Sequence, residues 1–120
     1  MNKDQAVHAF WASFGLRAYE ETHVEDGAQL PYITHEGAVD NFGAEIAQTA
    51  SLWYRSTSWD EITAKRDEIA ERITRGGVYV HYDGGAALIR RGNLFAQRMA
   101  DPTDDMVRRM LINYTVEFID

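Results

Sequence analysis

The side chains that could carry acid–base or metal chemistry in this 120-residue chain are four histidines and the carboxylates near them. His35 is followed by Glu36, and His81 lies two residues before Asp83. Each pair could act as a general acid and base if the fold placed it in a cleft. A small enzyme or ligand-binding domain that uses His35 and His81 is the less favoured hypothesis, because neither pair forms a recognised catalytic motif.

The sequence also lacks the usual metal and nucleotide motifs. It has no HExxH, no phosphate-binding glycine loop and no cysteine, so cysteine-bound zinc and thiolate catalysis are excluded. His23 lies in an acidic segment that could imitate a metal site but is more typical of a solvated loop, and its carboxylates are Glu20, Glu21, Glu25 and Asp26. We therefore expect no cofactor and no resident metal.

Charged residues of both signs crowd the last third of the chain. Exposed ion pairs each contribute only ~0–1 kcal/mol, so partner selection is a better explanation for such a cluster than stability. One alternative remains open, namely an ordered loop that is held to its own domain by local pairs. The residues of the cluster are Arg90, Arg91, Arg98, Asp101, Asp104, Asp105, Arg108 and Arg109.

Composition limits the class of protein. The length suits a single domain over 1–120, and 45% hydrophobic with 26% charged residues is typical of a globular protein. A net charge of −7 argues against binding to nucleic-acid phosphates. No apolar run approaches the ~20 residues that cross a bilayer, so we expect no membrane association.

The pattern of apolar residues predicts an α+β fold, with a mostly antiparallel sheet of about four to five strands and two helices on one face. Trp53 alternates with core residues and therefore belongs to the other face, exposed or covered by another subunit. Leu16–Leu30 is predicted as a loop, 37–43 as a turn-rich connection and Arg91–Val107 as a charged connection with one helical turn at Asp101–Asp104. The predicted helices are Asn2–Phe14 and one that runs from a cap at Thr57 or Ser58 to Arg75; the predicted strands are Tyr32–Glu36, Glu45–Arg55, Val78–Tyr82, Ala86–Arg90 and Arg109–Asp120.

Several segments, taken in order, resemble the tail-completion proteins of long-tailed bacteriophages. The similarity covers about 25–119 and is strongest to tail terminator proteins, with head–tail joining and neck proteins as the alternative. It is carried by Pro31–Thr34, Ala50–Ser56, Trp59–Ile62, Phe95–Met99, Asp101–Arg109 and Val116–Phe118.

The resemblance implies a structural virion subunit without enzyme activity or cofactor. Such proteins form hexameric rings that cap the tail tube and join it to the head connector, and DNA passes through the ring without sequence-specific binding. We would then expect synthesis in the cytoplasm of the host bacterium and a final place in the tail or neck. The acidic segment Glu20–Asp26 is a candidate for the lumen, and the expected interface residues are Trp53, Arg90, Arg91, Phe95, Arg98, Asp101, Asp104, Asp105, Arg108 and Arg109.

Overall fold

Two helices and six strands make up the part of the chain that the computed structural model describes, which is residues 1–39, 44–101 and 103–120. The strands form one sheet in the order β1-β2-β3-β6-β5-β4, in which β1 and β2 are parallel and all other neighbours are antiparallel. The elements are α1 (Lys3–Ala12), β1 (Arg17–Glu20), β2 (Tyr32–His35), β3 (Ile46–Arg55), α2 (Asp60–Ile73), β4 (Val78–Tyr82), β5 (Gly85–Ala100) and β6 (Val107–Ile119).

The α+β class and the two helices are confirmed, but the sheet is mixed and has more strands than predicted. Part of the difference lies in 16–30, where the prediction of a loop is wrong because β1 pairs in parallel with β2. The predicted turn-rich connection at 37–43 falls partly on 40–43, outside the described residues, and so does the Pro102 position of the predicted helical turn.

Helix α1 begins with a capping box. The Asn2 side chain accepts a hydrogen bond from the Gln5 amide, and the Gln5 side chain accepts one from the Asn2 amide, so two unpaired donors of the first turn are satisfied. The buried side of α1 carries Val7, Phe10 and Trp11, as the spacing of the apolar residues predicts.

Helix α2 begins one to two residues later than a cap at Thr57 or Ser58 would require. Trp59 occupies the capping position and makes no side-chain cap bond. Ser58 Oγ still accepts a hydrogen bond from the Asp60 amide at 3.2 Å, so the hydroxyl satisfies one donor of the first turn. The helix ends at Ile73, before the predicted Arg75.

Both helices pack on the same face of the sheet. A single buried cluster joins α1 and α2 with alternate residues of the central strands, among them Leu52, Ile112 and Tyr114, each fully buried. The alternation predicted for β6 is confirmed, since every second residue from Met110 to Phe118 is buried.

Strand β5 runs for 16 residues, about three times the length predicted. The segment 91–100, which its charges predicted to be a connection, continues to pair with β6 after a shift of register between Arg91 and Ala96. The charged residues therefore stand on two paired strands and on the short turn between them, which fixes their positions far more tightly than a loop would.

Candidate assembly interface

The face of the sheet opposite the helices, here called the open face, carries a row of large side chains. Cross-strand register aligns Tyr32 with Trp53, Trp53 with Arg109, and Arg109 with Met99. Tyr19 of β1 extends the row, because its ring lies 5.5 Å from that of Tyr32 in an edge-on arrangement. These five residues, the aromatic row, cross five of the six strands.

Trp53 is the centre of the aromatic row, and its position is fixed by both neighbouring strands. Its Nε1 donates a hydrogen bond to Thr34 Oγ1 at 2.9 Å, and the Arg109 guanidinium lies 4.7 Å from its ring centroid. Arg109 Nε in turn donates to Ser51 Oγ at 3.1 Å. The indole is only partly buried by these contacts. Alternation correctly places Trp53 on this face, and its contact with another subunit stays a prediction.

Two recesses flank Trp53. The larger, of about 490 Å³, lies between the loop before β2 and the ends of β3 and β6, and its walls include Leu30, Tyr32 and Val107. The smaller, of about 230 Å³, lies on the side of Ala100 and Arg109. Asp101 borders both recesses. The aromatic row therefore presents an uneven surface with room for side chains of a second chain.

Arg90 is the arginine of the cluster that forms two ion pairs. Its Nη1 lies 2.6 Å from Glu45 Oε2 and 3.3 Å from Glu117 Oε1. Hydrogen bonds to these two carboxylates raise the pKa of Arg90 above its ordinary value. Arg91, on the side of the helices, instead donates from Nε to the backbone oxygen of Ala70 in α2 at 3.0 Å.

Two further arginines hold the ring of Trp59. The guanidinium carbons of Arg98 and Arg108 lie 4.7 and 5.5 Å from its centroid, within the range of a cation–π contact. Arg108 also donates to the backbone oxygens of Thr57, at 3.2 Å, and Asp105. These contacts tie the β5–β6 pair to the segment that leads into α2.

The turn between β5 and β6 is held by its aspartates. Asp104 accepts a hydrogen bond from the Met106 amide at 2.9 Å and pairs with Arg55 at 2.8 Å. The Met106 amide is the main reason why the pKa of Asp104 is lowered. The Thr103 amide lowers the pKa of Asp101 in the same way, through a bond of 2.9 Å. Much of the charge cluster thus stabilises its own domain, as the alternative explanation expects.

His35 and His81 do not form a common site. His35 is buried on the helix side of β2, whereas His81 is exposed on β4, at the other end of the sheet. Residues 1–39, 44–101 and 103–120 also contain no group of three metal-ligating side chains that could hold an ion. The geometry therefore offers no support for an enzyme that combines these two histidines.

His35 contacts His8 of α1 instead, a pairing that the sequence gives no means of predicting. His35 Nε2 lies 3.1 Å from His8 Nδ1, and His35 Nδ1 lies 2.9 Å from the backbone oxygen of Glu36. Because a carbonyl can only accept, His35 donates this bond from Nδ1, and in its neutral form it accepts from His8 at Nε2. Burial lowers the pKa of His35. The pair therefore joins α1 to β2.

The acidic segment 20–26 lies at the end of β1. Glu25 Oε1 accepts a hydrogen bond from the Tyr19 hydroxyl at 3.0 Å and lies 3.6 Å from Arg17. Glu21, Glu25 and Asp26 are exposed, and Glu20 is half-buried. The segment remains available to line a channel, and that role stays a prediction.

Comparison with solved structures shows a similarity at the level of the fold. Neither known protein families nor curated proteins produced a match to the sequence. A solved structure, a chain of the "Virion of native gene transfer agent (GTA) particle", is similar with a TM-score of 0.65 and 14% sequence identity. The similarity covers 97% of this chain and 93% of that one. At this identity the match shows that the two chains share a fold over almost their whole lengths.

Among residues 1–39, 44–101 and 103–120, neither helix is long and apolar enough to cross a bilayer.

Proposed function

We propose that this chain is a structural subunit of a phage-like virion and acts by assembly, not by catalysis. The observation that carries the proposal is the shared fold with a virion chain of a gene transfer agent particle over 97% of the present chain. The separation of His35 from His81 agrees with it, because the enzyme hypothesis required those two side chains to meet.

Within this role we propose the place of a tail terminator. Copies of the chain would form a hexameric ring that caps the tail tube, contacts the head connector and lets DNA pass through its centre. The open face supports the proposal, because its aromatic row leaves a partly exposed tryptophan beside two recesses, and aromatic residues are enriched at protein interfaces. The net charge of −7 would let DNA slide through the ring without being held.

The proposal is tested by locating the chain and by measuring its mass. Particles from producing cells, purified on a density gradient, should contain the chain, and antibody labelling should place it at the junction of tail and head. Light scattering on the purified protein, alone and with the tail tube protein of the same particle, should show a ring or a subunit that joins tube ends.

The possible results separate the competing roles. Labelling on the head side of the junction, with no binding to tubes, would transfer the proposal to a head–tail joining protein. A chain absent from purified particles would refute the structural role itself.

A further inference from the structure

The β-bulge of β5 has a geometry that β6 fixes. Register shifts between Arg91 and Ala96, so the bulge contains more residues than the opposite strand. Gly92 fits against the backbone of Asn113, where a Cβ would lie 2.7 Å from the carbonyl carbon and oxygen. Asn113 Nδ2 donates a hydrogen bond to the backbone oxygen of Leu94 at 2.8 Å. The bulge is therefore held in one arrangement.

Leu94 is an unusual residue at the tip of this bulge. Its φ of 56° lies in the left-handed region, which glycine and asparagine adopt far more readily than leucine does. Its side chain is 67% exposed and so gains little from packing within its own domain. Backbone strain of this kind persists at positions that serve function. A strained and exposed leucine points to a contact outside the chain.

The recesses beside Trp53 offer a place for such a side chain. The larger one has an apolar part, formed by Leu30, Tyr32 and Val107, beside a polar part that includes Arg55, and its volume is several times that of a leucine side chain. Asp101 marks its rim. The chain thus carries an apolar projection and, at a different place, a recess with an apolar part, as a contact between two copies requires.

Charge complementarity points to a second copy as the occupant. Beyond the bulge on the same strand, the exposed Arg98 lies over the Trp59 ring and has no carboxylate partner within residues 1–39, 44–101 and 103–120. At the turn beside the recess, Asp101 and Asp105 have no cationic partner in the same part of the chain. The cation of Arg98 in one copy can therefore pair with an aspartate of the turn in another copy.

We infer that Leu94 of one copy inserts into the recess beside Trp53 of a second copy, with Arg98 facing the aspartates of the β5–β6 turn. This inference rests on the proposed function, because it names the contact through which the copies would assemble.

The first test replaces Leu94 by asparagine. Leu94→Asn keeps a residue that suits a positive φ, so the bulge and the fold should persist while the apolar projection is lost. Sedimentation velocity across a concentration series should show self-association of the wild-type chain, and a dissociation constant at least ~10-fold higher for Leu94→Asn. Val39→Asn is the control, because Val39 is also an exposed apolar residue, at 51%, and should leave association unchanged.

The second test restores the contact by mixing two variants. Gln29 lines the larger recess from an exposed position, so Gln29→Trp should fill the recess without disturbing the core. Each variant alone should associate weakly, but Leu94→Asn retains the recess and Gln29→Trp retains the leucine. Their mixture should therefore regain association as a mixed pair.

The outcomes distinguish this inference from the proposed function. Self-association that Leu94→Asn leaves unchanged, or a mixture that associates no better than its components, would overturn the contact while the structural role stands. A wild-type chain that stays monomeric at every concentration would also overturn the contact. In that case the presence or absence of the chain in purified particles decides the proposed function separately.

Discussion

Gly92→Ala should lower the free energy of unfolding, because Gly92 packs directly against the backbone of β6. A Cβ on residue 92 would lie 2.7 Å from the carbonyl carbon and oxygen of Asn113 and 2.9 Å from its Cβ. Non-bonded carbon atoms approach to about 3.5–4.0 Å, so the overlap is close to 1 Å. Two of these three atoms belong to the backbone of β6 and cannot move away by rotation of a side chain.

The expected cost follows from this overlap. Forcing one extra carbon into a packed site costs about 1–3 kcal/mol, and the lower entropy of the unfolded chain with alanine returns about 0.4–1 kcal/mol. We expect a net loss of about 1–2 kcal/mol in the free energy of unfolding, which for a chain of this size lowers Tm by about 4–8 °C. Thermal unfolding followed by circular dichroism measures this change directly.

Gly76→Ala is the matched control for this substitution. A Cβ at Gly76 meets no atom within 4 Å, so Tm should stay the same or rise slightly. Hydrogen exchange would add the location, since the amides of 91–96 should lose protection in Gly92→Ala but not in the control. If Gly92→Ala melts at the wild-type temperature, the close packing of β5 on Asn113 is refuted, and with it the fixed bulge.

Two more predictions concern His35 and Arg98. Because burial lowers the pKa of His35, the free energy of unfolding should fall as the pH drops below about 6.5, the ordinary value for histidine, although the hydrogen bond to the Glu36 backbone and the charges of Glu20 and Asp4 partly oppose the shift. Urea unfolding at a series of pH values should show this loss in the wild type and in the control His81→Gln, which changes an exposed histidine. The free energy of unfolding should depend less on pH in His35→Gln. Arg98→Glu should leave Tm within about 4 °C, since it removes one exposed cation–π contact, but should weaken self-association. Arg75→Glu changes the net charge equally, so an equal effect of both would contradict a specific role of Arg98.

The elements with a long, regular apolar pattern could be predicted from the sequence. Strand β6 alternates over its whole length, and α1 carries its apolar residues on one stripe, so a single packing face was readable in each. The same alternation in β3 located Trp53 on the open face. Periodicity succeeds here because burial on one face dictates residue type at every second or every third to fourth position.

Two elements escaped prediction for different physical reasons. Strand β1 has four residues, too few for a period to be recognised, and its parallel pairing with β2 depends on tertiary contacts. Tyr19 of the aromatic row was missed with it. The second half of β5 has the composition of a loop, and it remains a strand because β6 supplies a continuous partner and the bulge absorbs the extra residues.

The arginines of the charge cluster show most clearly where sequence reasoning ends. Their number was visible, but their partners include the backbone oxygens of Ala70 and Thr57, which no pattern of residue types can identify. An arginine that satisfies a backbone oxygen in its own domain is costly to replace, because the oxygen loses its partner as well. Reversal of Arg108 would therefore perturb the fold as well as any interface.

It follows that the proposed assembly would depend on the groups that the domain leaves unused. Arg90 and Arg108 are engaged within the chain. By contrast, the apolar side chain of Leu94 is exposed, and the exposed cation of Arg98 has no carboxylate partner in the described residues. Charged pairs select partners and speed their encounter, but buried apolar side chains supply most of the affinity of an interface. Most arginines of the cluster thus bond within the domain and tie β5 and β6 to their neighbours, and the proposed contact would use this frame to present a single strained leucine to a second copy.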